Sequence, residues 1–338
     1  MSSTIVSAND YSFVRPIDGL VSNKISPEEE ARLAWESFAE QTAVTADADW
    51  NNLVFNTAGI TEVPQESYPN PNPSGNISTK GRLQSIGGLS VLETVGQTFD
   101  LSNNKVSDVS EFNNLKSVGS NLILRNNPIT DLSGFDQPLT IGNQLNLSNT
   151  DLTNLSSLDV PITVNGDLRI SPGNLTSLSG FSKLDLKKGA YLMNNQLANV
   201  DGLRHLTRTN GNYFFQGNPL ESIWGLGRIT DFGGSLGLHG YQGTHLNDFA
   251  SSIRITYSLY LVGAPRLKDL SALSRIKYLG SRIYIDRALP SRSGYIPPAK
   301  SSWICQPSQS DLFPPSTTKY VSGGKEYYMA SQSAVCKL

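Results

Sequence analysis

One short pattern of apolar and polar positions recurs through residues 78–285. It reads apolar, any residue, apolar, two further residues, often asparagine, one residue, apolar, as in Phe99-x-Leu101-x-x-Asn104-x-Val106. The second apolar residue of each copy, called the marker residue below, recurs every 22 to 24 residues over nine copies. The marker residues are Leu101, Leu124, Leu147, Ile170, Leu192, Phe215, Leu238, Leu261 and Ile285. A fixed period of this length is the signature of a solenoid, in which each repeat forms one coil.

The residues around each marker predict a short β-strand, because apolar and polar positions alternate there. Clusters of glycine, asparagine and proline between the strands predict corners. Strands that lie one coil apart must run parallel, at about 4.8 Å spacing. Because a single repeat cannot bury its own apolar residues, stacked coils must form the core. The sequence therefore predicts a mainly β, parallel solenoid of about nine coils.

The repeat resembles a leucine-rich repeat, most closely the receptor L-domain type. The phrases that carry the likeness are Ile86-Gly87-Gly88-Leu89 and Val118-Gly119-Ser120-Asn121-Leu122-Ile123-Leu124-Arg125-Asn126-Asn127. The resemblance covers about residues 78–285 and implies a right-handed solenoid in which asparagine side chains cap backbone groups at one corner. The asparagine is replaced at Thr150, Gly173, Tyr241 and Ala264. We therefore expect the C-terminal coils to be less regular.

The predicted solenoid occupies residues 77–286, and residues 1–76 form an N-terminal arm. Within the arm, Ser26 and Glu29 form a capping box that predicts a helix over about residues 27–42. Two interpretations of this helix stay open, a cap over the first coil and a docking segment for another protein. Leu53–Phe55 is a candidate strand.

Residues 287–318 are rich in proline, and the pattern around Ser322-Gly323-Gly324 predicts a β-hairpin. We expect residues 287–338 to form a C-terminal cap that protects the last strand. The chain has two cysteines, Cys305 and Cys336, both in this segment. A disulfide between them and two free thiols are both consistent with the sequence.

Composition and charge exclude several classes of function. The 338 residues carry 27 basic and 29 acidic side chains, a net charge of −2, so nucleic-acid binding is not expected. No apolar run approaches 18 residues, so membrane insertion is not expected either. The first residues lack the basic and apolar regions of a conventional signal peptide. The expected location is a virion or the extracellular space, reached without such a signal, with the cytoplasm as the alternative.

The residues that flank the markers should form two outward rows, since side chains alternate along a strand. The first row is Asp100, Ile123, Asn146, Arg169, Tyr191, Phe214, Gly237, Tyr260 and Tyr284. The second row is Ser102, Arg125, Ser148, Ser171, Met193, Gln216, His239, Val262 and Asp286. The two carboxylates, Asp100 and Asp286, lie eight coils apart, about 38 Å at about 4.8 Å per coil. A glycosidase pair needs about 5–10 Å, so we expect no such enzyme.

No other catalytic or metal-binding arrangement is visible in the sequence. His205, His239 and His245 form no Ser/His/Asp pattern, and the two cysteines lack the neighbouring histidines of a zinc site. We therefore expect no enzyme activity, metal or cofactor.

Aromatic residues crowd the C-terminal half of the rows, whereas the N-terminal half is polar. The candidate contact residues are Tyr191, Phe214, Tyr260, Tyr284, Met193, Gln216, His239, Arg125 and Arg169. An exposed aromatic stripe of this kind is a candidate binding surface for a protein or a glycan. Two alternatives stay open. The C-terminal tail could fold over the stripe, or the aromatics could be present only because they suit strands.

The sequence favours a non-enzymatic binding or structural module for protein–protein or cell-surface attachment. A bacteriophage tail or capsid-decoration protein fits an adhesion-type repeat without a signal peptide, and its partner would be a neighbouring virion protein, a host receptor or a surface glycan. The alternative is a bacterial secreted effector or surface adhesin that is exported by a non-conventional route.

Overall fold

The computed structural model shows a parallel β-solenoid of about nine stacked coils, as the period predicts. It describes Leu33 and residues 44–46, 53–55, 72–79, 83–86, 89–285, 319–322 and 325–331. Each coil adds one strand to a long sheet on one side, and most coils add a strand to a second side. Short 3-10 helices or turns complete the coil.

The long sheet has 14 strands, each a few residues long. In spatial order they are β1 (Val44–Ala46), β2 (Leu53–Phe55), β3 (Ile77–Thr79), β5 (Phe99–Asp100), β7 (Leu122–Ile123), β9 (Leu145–Asn146), β11 (Leu168–Arg169), β13 (Ala190–Tyr191), β15 (Tyr213–Phe214), β17 (Leu236–Gly237), β19 (Leu259–Leu261), β21 (Arg282–Ile285), β23 (Lys325–Ser331) and β22 (Lys319–Ser322). From β2 to β21 every neighbouring pair is parallel.

The second side of the solenoid is divided into two smaller sheets. The first consists of β4 (Thr94–Val95), β6 (Ser117–Val118), β8 (Leu139–Ile141), β10 (Ile162–Val164) and β12 (Leu184–Leu186). The other consists of β14 (Arg208–Thr209), β16 (Asp231–Phe232), β18 (Ile253–Ile255) and β20 (Ile276–Leu279). The described 3-10 helices are Ser110–Phe112, Phe181–Lys183, Asp201–Leu203, Trp224–Leu226 and Ser271–Arg275.

The flanking segments extend the long sheet at both ends. The predicted strand β2 pairs with β3, and β1, which the sequence analysis did not predict, pairs antiparallel with β2. The predicted N-terminal helix lies outside the described residues apart from Leu33. Strands β22 and β23 pair with each other antiparallel, and β23 pairs antiparallel with β21. The capping role of this tail stays a prediction, as does the disulfide, because Cys305 and Cys336 lie outside the described residues.

The core is one continuous column of apolar side chains inside the coils. The eight marker residues from Leu101 to Leu261 are each 1% exposed or less, which confirms that they point inward. The apolar residues two positions earlier, such as Phe99 and Leu122, are equally buried. The residues between them, such as Ile123, are half-buried on the outer face. The alternation that defines the first outward row is therefore present. In the second row Ser102 and Ser148 are buried, contrary to the prediction, whereas the members from Ser171 to Val262 are half-buried.

Buried asparagines cap backbone groups at one corner. Asn104, Asn127, Asn195 and Asn218 are nearly inaccessible. In Asn127 the Nδ2 group donates to the carbonyl oxygens of Leu101 and Leu124 at 2.8 and 3.0 Å, and Oδ1 accepts from the Val106 amide at 3.1 Å. Each amide thus connects its own coil to the preceding one, because it satisfies polar groups that the core would otherwise leave unpaired.

Where the asparagine is replaced, the capping is reduced or changed. Thr150 Oγ donates to the Leu147 carbonyl at 2.8 Å and so keeps one of these bonds. Tyr241 is buried and donates from its hydroxyl to the His245 carbonyl at 3.0 Å. Burial raises the pKa of the Tyr241 hydroxyl to about 12. A register irregularity between Ile253 and Arg254 lies in the C-terminal coils, where the sequence predicted less regularity.

Candidate functional site

Four aromatic side chains form a continuous ladder on the outer face of the long sheet. These residues, called the aromatic ladder below, are Tyr191, Phe214, Tyr260 and Tyr284. The ring centroids lie 5.6 Å apart for Tyr191 and Phe214, 5.9 Å for Phe214 and Tyr260, and 4.6 Å for Tyr260 and Tyr284. All four rings are half-buried. Parallel pairing explains the alignment, since it places Tyr191 opposite Phe214 and Tyr260 opposite Tyr284.

A glycine lets the ladder continue across a strand that has no ring. Gly237 lies between Phe214 and Tyr260 in the first row. A Cβ atom at Gly237 would lie 2.2 Å from Cδ1 of Phe214, so the Phe214 ring occupies the space above the glycine. Phe214 and Tyr260 therefore meet edge to face although their strands are not neighbours. Sequence reasoning missed this role, and the signal it could have used is a glycine inside a predicted strand.

The rings cover each other's faces. The Tyr260 and Tyr284 rings are within 7° of parallel and stack along the direction in which strands are added. The His239 ring stacks on Tyr260 with a centroid distance of 5.1 Å. Because side chains stand roughly perpendicular to a sheet, rings stacked in this way point their edges toward solvent. The C-terminal part of the ladder therefore presents ring edges and tyrosine hydroxyls rather than open ring faces.

The second row supplies the polar and flexible neighbours of the ladder. Met193, Gln216 and His239 are half-buried and lie on the coils of Tyr191, Phe214 and Gly237. Burial lowers the pKa of the His239 imidazole, which favours its neutral form. Asn212, which the sequence analysis did not single out, donates from Nδ2 to the Tyr191 hydroxyl at 3.3 Å.

Arg169 lies at the N-terminal end of the ladder. The centre of its guanidinium group is 4.4 Å from the centroid of the Tyr191 ring, within the range of a cation–π contact. The Arg169 Nε atom is buried and has no hydrogen-bond partner within the described part of the chain. The guanidinium group of Arg169 thus extends the row of contacts beyond Tyr191, and its Nε–H group has no acceptor among the described residues.

Arg125 is the one predicted contact residue that the structure separates from the others. It is exposed in the second row on the coil of β7, whereas Arg169 lies on β11, two strands further along the sheet. The remaining candidates form one cluster, in which ring contacts and the cation–π contact join Arg169, His239 and the aromatic ladder. Met193 and Gln216 belong to it by their positions on the coils of Tyr191 and Phe214. The described part of the tail does not cover this cluster, because β23 and β22 extend the same sheet beyond β21 instead of lying over its face.

The described ranges contain no group of three histidine, cysteine, aspartate or glutamate side chains that could hold a metal ion. None of the helices described is long and apolar enough to cross a membrane. Asp100 lies on β5, four strands from β13 at the start of the ladder, and Asp286 lies outside the described residues.

Comparison with known proteins gives no family assignment. No family profile matches the chain, and no curated protein sequence matches it. The solenoid and the aromatic ladder are therefore the features that bear on function.

The fit of Phe214 over Gly237 can be tested with a double-mutant cycle. Replacing glycine with alanine inside a strand stabilises it by about 0.5–1 kcal/mol. In the wild-type background we expect Gly237→Ala to give no such stabilisation, because the new methyl group displaces the Phe214 ring. In a Phe214→Ala background the gain should appear in full. Urea unfolding measures the coupling, which should be at least about 0.5 kcal/mol. Equal effects in both backgrounds would show that the ring does not fill this space.

Proposed function

We propose that this chain is a non-enzymatic binding module that attaches to a partner protein through the aromatic ladder, and that its coils are leucine-rich repeats of the receptor L-domain type. The observation that carries the proposal is the continuous contact from Arg169 through Tyr191 and Phe214 to Tyr260 and Tyr284 on an outward face. The buried asparagine column is consistent with the repeat type.

The ladder has the physical properties of a binding surface. It spans four coil steps, about 19 Å at about 4.8 Å per coil. Aromatic side chains offer a large contact area at a low cost in conformational entropy. Because each ring already contacts its neighbour, less freedom is lost when a partner covers the ladder. Rigid, half-buried aromatics of this kind are the side chains that most often dominate binding energy.

The orientation of the rings favours a protein over a glycan. A sugar ring stacked on an aromatic side chain needs an open aromatic face, whereas the Tyr260 and Tyr284 faces cover each other. Ring edges and hydroxyl groups suit the mixed apolar and polar surface of a polypeptide. A surface glycan is thus the second ligand class to test. Attachment within a virion or at a cell surface remains a prediction from the sequence.

Selection from a displayed library of random linear peptides tests the proposal. We expect the wild-type chain to enrich peptides whose binding is lost with Phe214→Ala combined with Tyr260→Ala. Loss of two central aromatic contacts should weaken binding by about 30-fold or more. The same variant should keep its melting temperature, because the rings lie outside the core.

The matched control is Tyr278→Ala. Tyr278 is an exposed tyrosine on β20, which belongs to a different sheet from the ladder. Its replacement removes the same side chain and should leave peptide binding unchanged. If the enriched peptides bound the ladder variant with the same affinity as the wild type, the contact would lie elsewhere on the chain. A ladder variant that unfolds like a core mutant would show that the rings stabilise the fold instead.

A further inference from the structure

The part of the outer face of the long sheet that runs from β7 to β19 carries only positive charges in its two rows. From β7 to β19 the two outward rows contain two cations, Arg125 and Arg169, and no carboxylate. The sequence places the two carboxylates of the rows, Asp100 and Asp286, at their opposite ends, and the whole chain carries a net charge of −2. Asp167 lies two residues before Arg169, at the corner that precedes β11. Its Oδ1 accepts from the Gly189 amide at 2.9 Å. The face is therefore complementary to an acidic partner.

Arg169 is distinguished by a donor that nothing in the described chain uses. Its guanidinium group stacks on Tyr191, and its buried Nε lacks an acceptor among the described residues. Because Nε is buried, a ligand would reach the guanidinium group at its two terminal nitrogen atoms, where a carboxylate can accept two parallel hydrogen bonds. Arg254 provides a contrast. It stacks on Tyr278 in the same way, at 4.0 Å, but its Nε lies 3.8 Å from the Asp231 carboxylate.

We propose that Arg169 receives a carboxylate from the partner, and that the partner is an extended acidic peptide segment that lies along the aromatic ladder. This inference rests on the proposed function. A guanidinium group binds a carboxylate through two parallel hydrogen bonds, and the stacking on Tyr191 holds it in a fixed plane for that contact. An aspartate or glutamate of the partner binds Arg169, and the following residues contact Phe214, Tyr260 and Tyr284.

The ladder itself favours an acceptor-rich partner. Aromatic rings carry partial positive charge at their edges and partial negative charge on their faces. The C-terminal rings stack face to face, so the edges and the hydroxyl groups are the parts available for contact. Carboxylate and carbonyl oxygens are attracted to such positively polarised edges, whereas a basic peptide would be repelled by Arg125 and Arg169. An acidic peptide satisfies both the arginine and the ring edges.

The test uses synthetic peptides made from the clones whose binding depends on the ladder. We expect these peptides to share an aspartate or glutamate. Arg169→Gln in the protein and replacement of that acidic residue by its amide in the peptide should each weaken binding about tenfold or more. The two changes together should weaken it no further than either alone. Arg169→Glu should bind a peptide that carries lysine at the acidic position better than it binds the original peptide, which a purely structural role would not produce.

Controls separate this inference from the function on which it rests. Arg254→Gln removes an arginine that also stacks on a tyrosine but lies on another sheet, and it should leave binding unchanged. Ladder-dependent peptides that tolerate Arg169→Gln would overturn the carboxylate contact and leave the proposed function in place. A library that yields no ladder-dependent peptide would overturn both. If no such peptide were found but the chain bound oligogalacturonate, an acidic glycan, and Arg169→Gln abolished that binding, the partner would be an acidic glycan rather than a peptide.

Discussion

Asn127→Ala is expected to lower the free energy of unfolding by about 3–5 kcal/mol. The side chain is 3% exposed and satisfies the carbonyls of Leu101 and Leu124 and the amide of Val106. Alanine would leave these three backbone groups buried and unpaired, at a cost of about 1–3 kcal/mol for each group. We place the total near the lower end because water could reach the corner once the amide is gone.

Two variants calibrate this expectation in urea unfolding. Asn127→Thr should cost less than Asn127→Ala, because Thr150 shows that a hydroxyl at this position can donate to the carbonyl three residues earlier. Asn143→Ala removes an exposed asparagine whose Nδ2 donates to the Asn121 side chain, and it should cost less than about 0.5 kcal/mol. A loss below about 1 kcal/mol for Asn127→Ala would mean that the corner is wet and that apolar stacking alone holds the coils together.

The sequence predicts the solenoid well because one physical requirement repeats in every coil. A residue such as Leu101 or Leu124 has to be buried, and the next residue along a strand has to point outward. The spacing of about 23 residues then sets one parallel strand per coil. The long sheet, the inward markers and the two outward rows all follow from this requirement. The row positions of Tyr191 to Tyr284 were therefore predictable.

The contacts within the ladder were not predictable, because they depend on side-chain rotamers and on local gaps. The sequence shows that Gly237 interrupts the aromatic row, yet the structure shows that this gap is what brings Phe214 to Tyr260. Likewise, the rows contain Arg125 and Arg169, but only the position of the Tyr191 ring distinguishes the two. Strand β1 was missed because only Val44 among its three residues is a large apolar residue, whereas all three residues of β2 are.

Leu124→Ala is expected to cost about 2–5 kcal/mol, whereas Ile123→Ala, the change at the preceding residue, should cost less than about 1 kcal/mol. Leu124 is fully buried between its neighbouring coils, so its truncation leaves a cavity. Ile123 is half-buried on the outer face, where the surrounding side chains and water can fill the space. Both variants remove apolar atoms from the same coil, so the difference between them reports the direction of each side chain.

The comparison also bears on the ladder, because Ile123 belongs to the same row as Tyr191, Phe214 and Tyr260. Urea unfolding of both variants, with a check that the denaturant slope is unchanged, gives the two free energies. If Ile123→Ala cost as much as Leu124→Ala, the row that contains the aromatics would be part of the core, and the ladder could not be a binding surface. The expected difference of at least about 1 kcal/mol instead leaves the aromatic row outside the core and open to a partner.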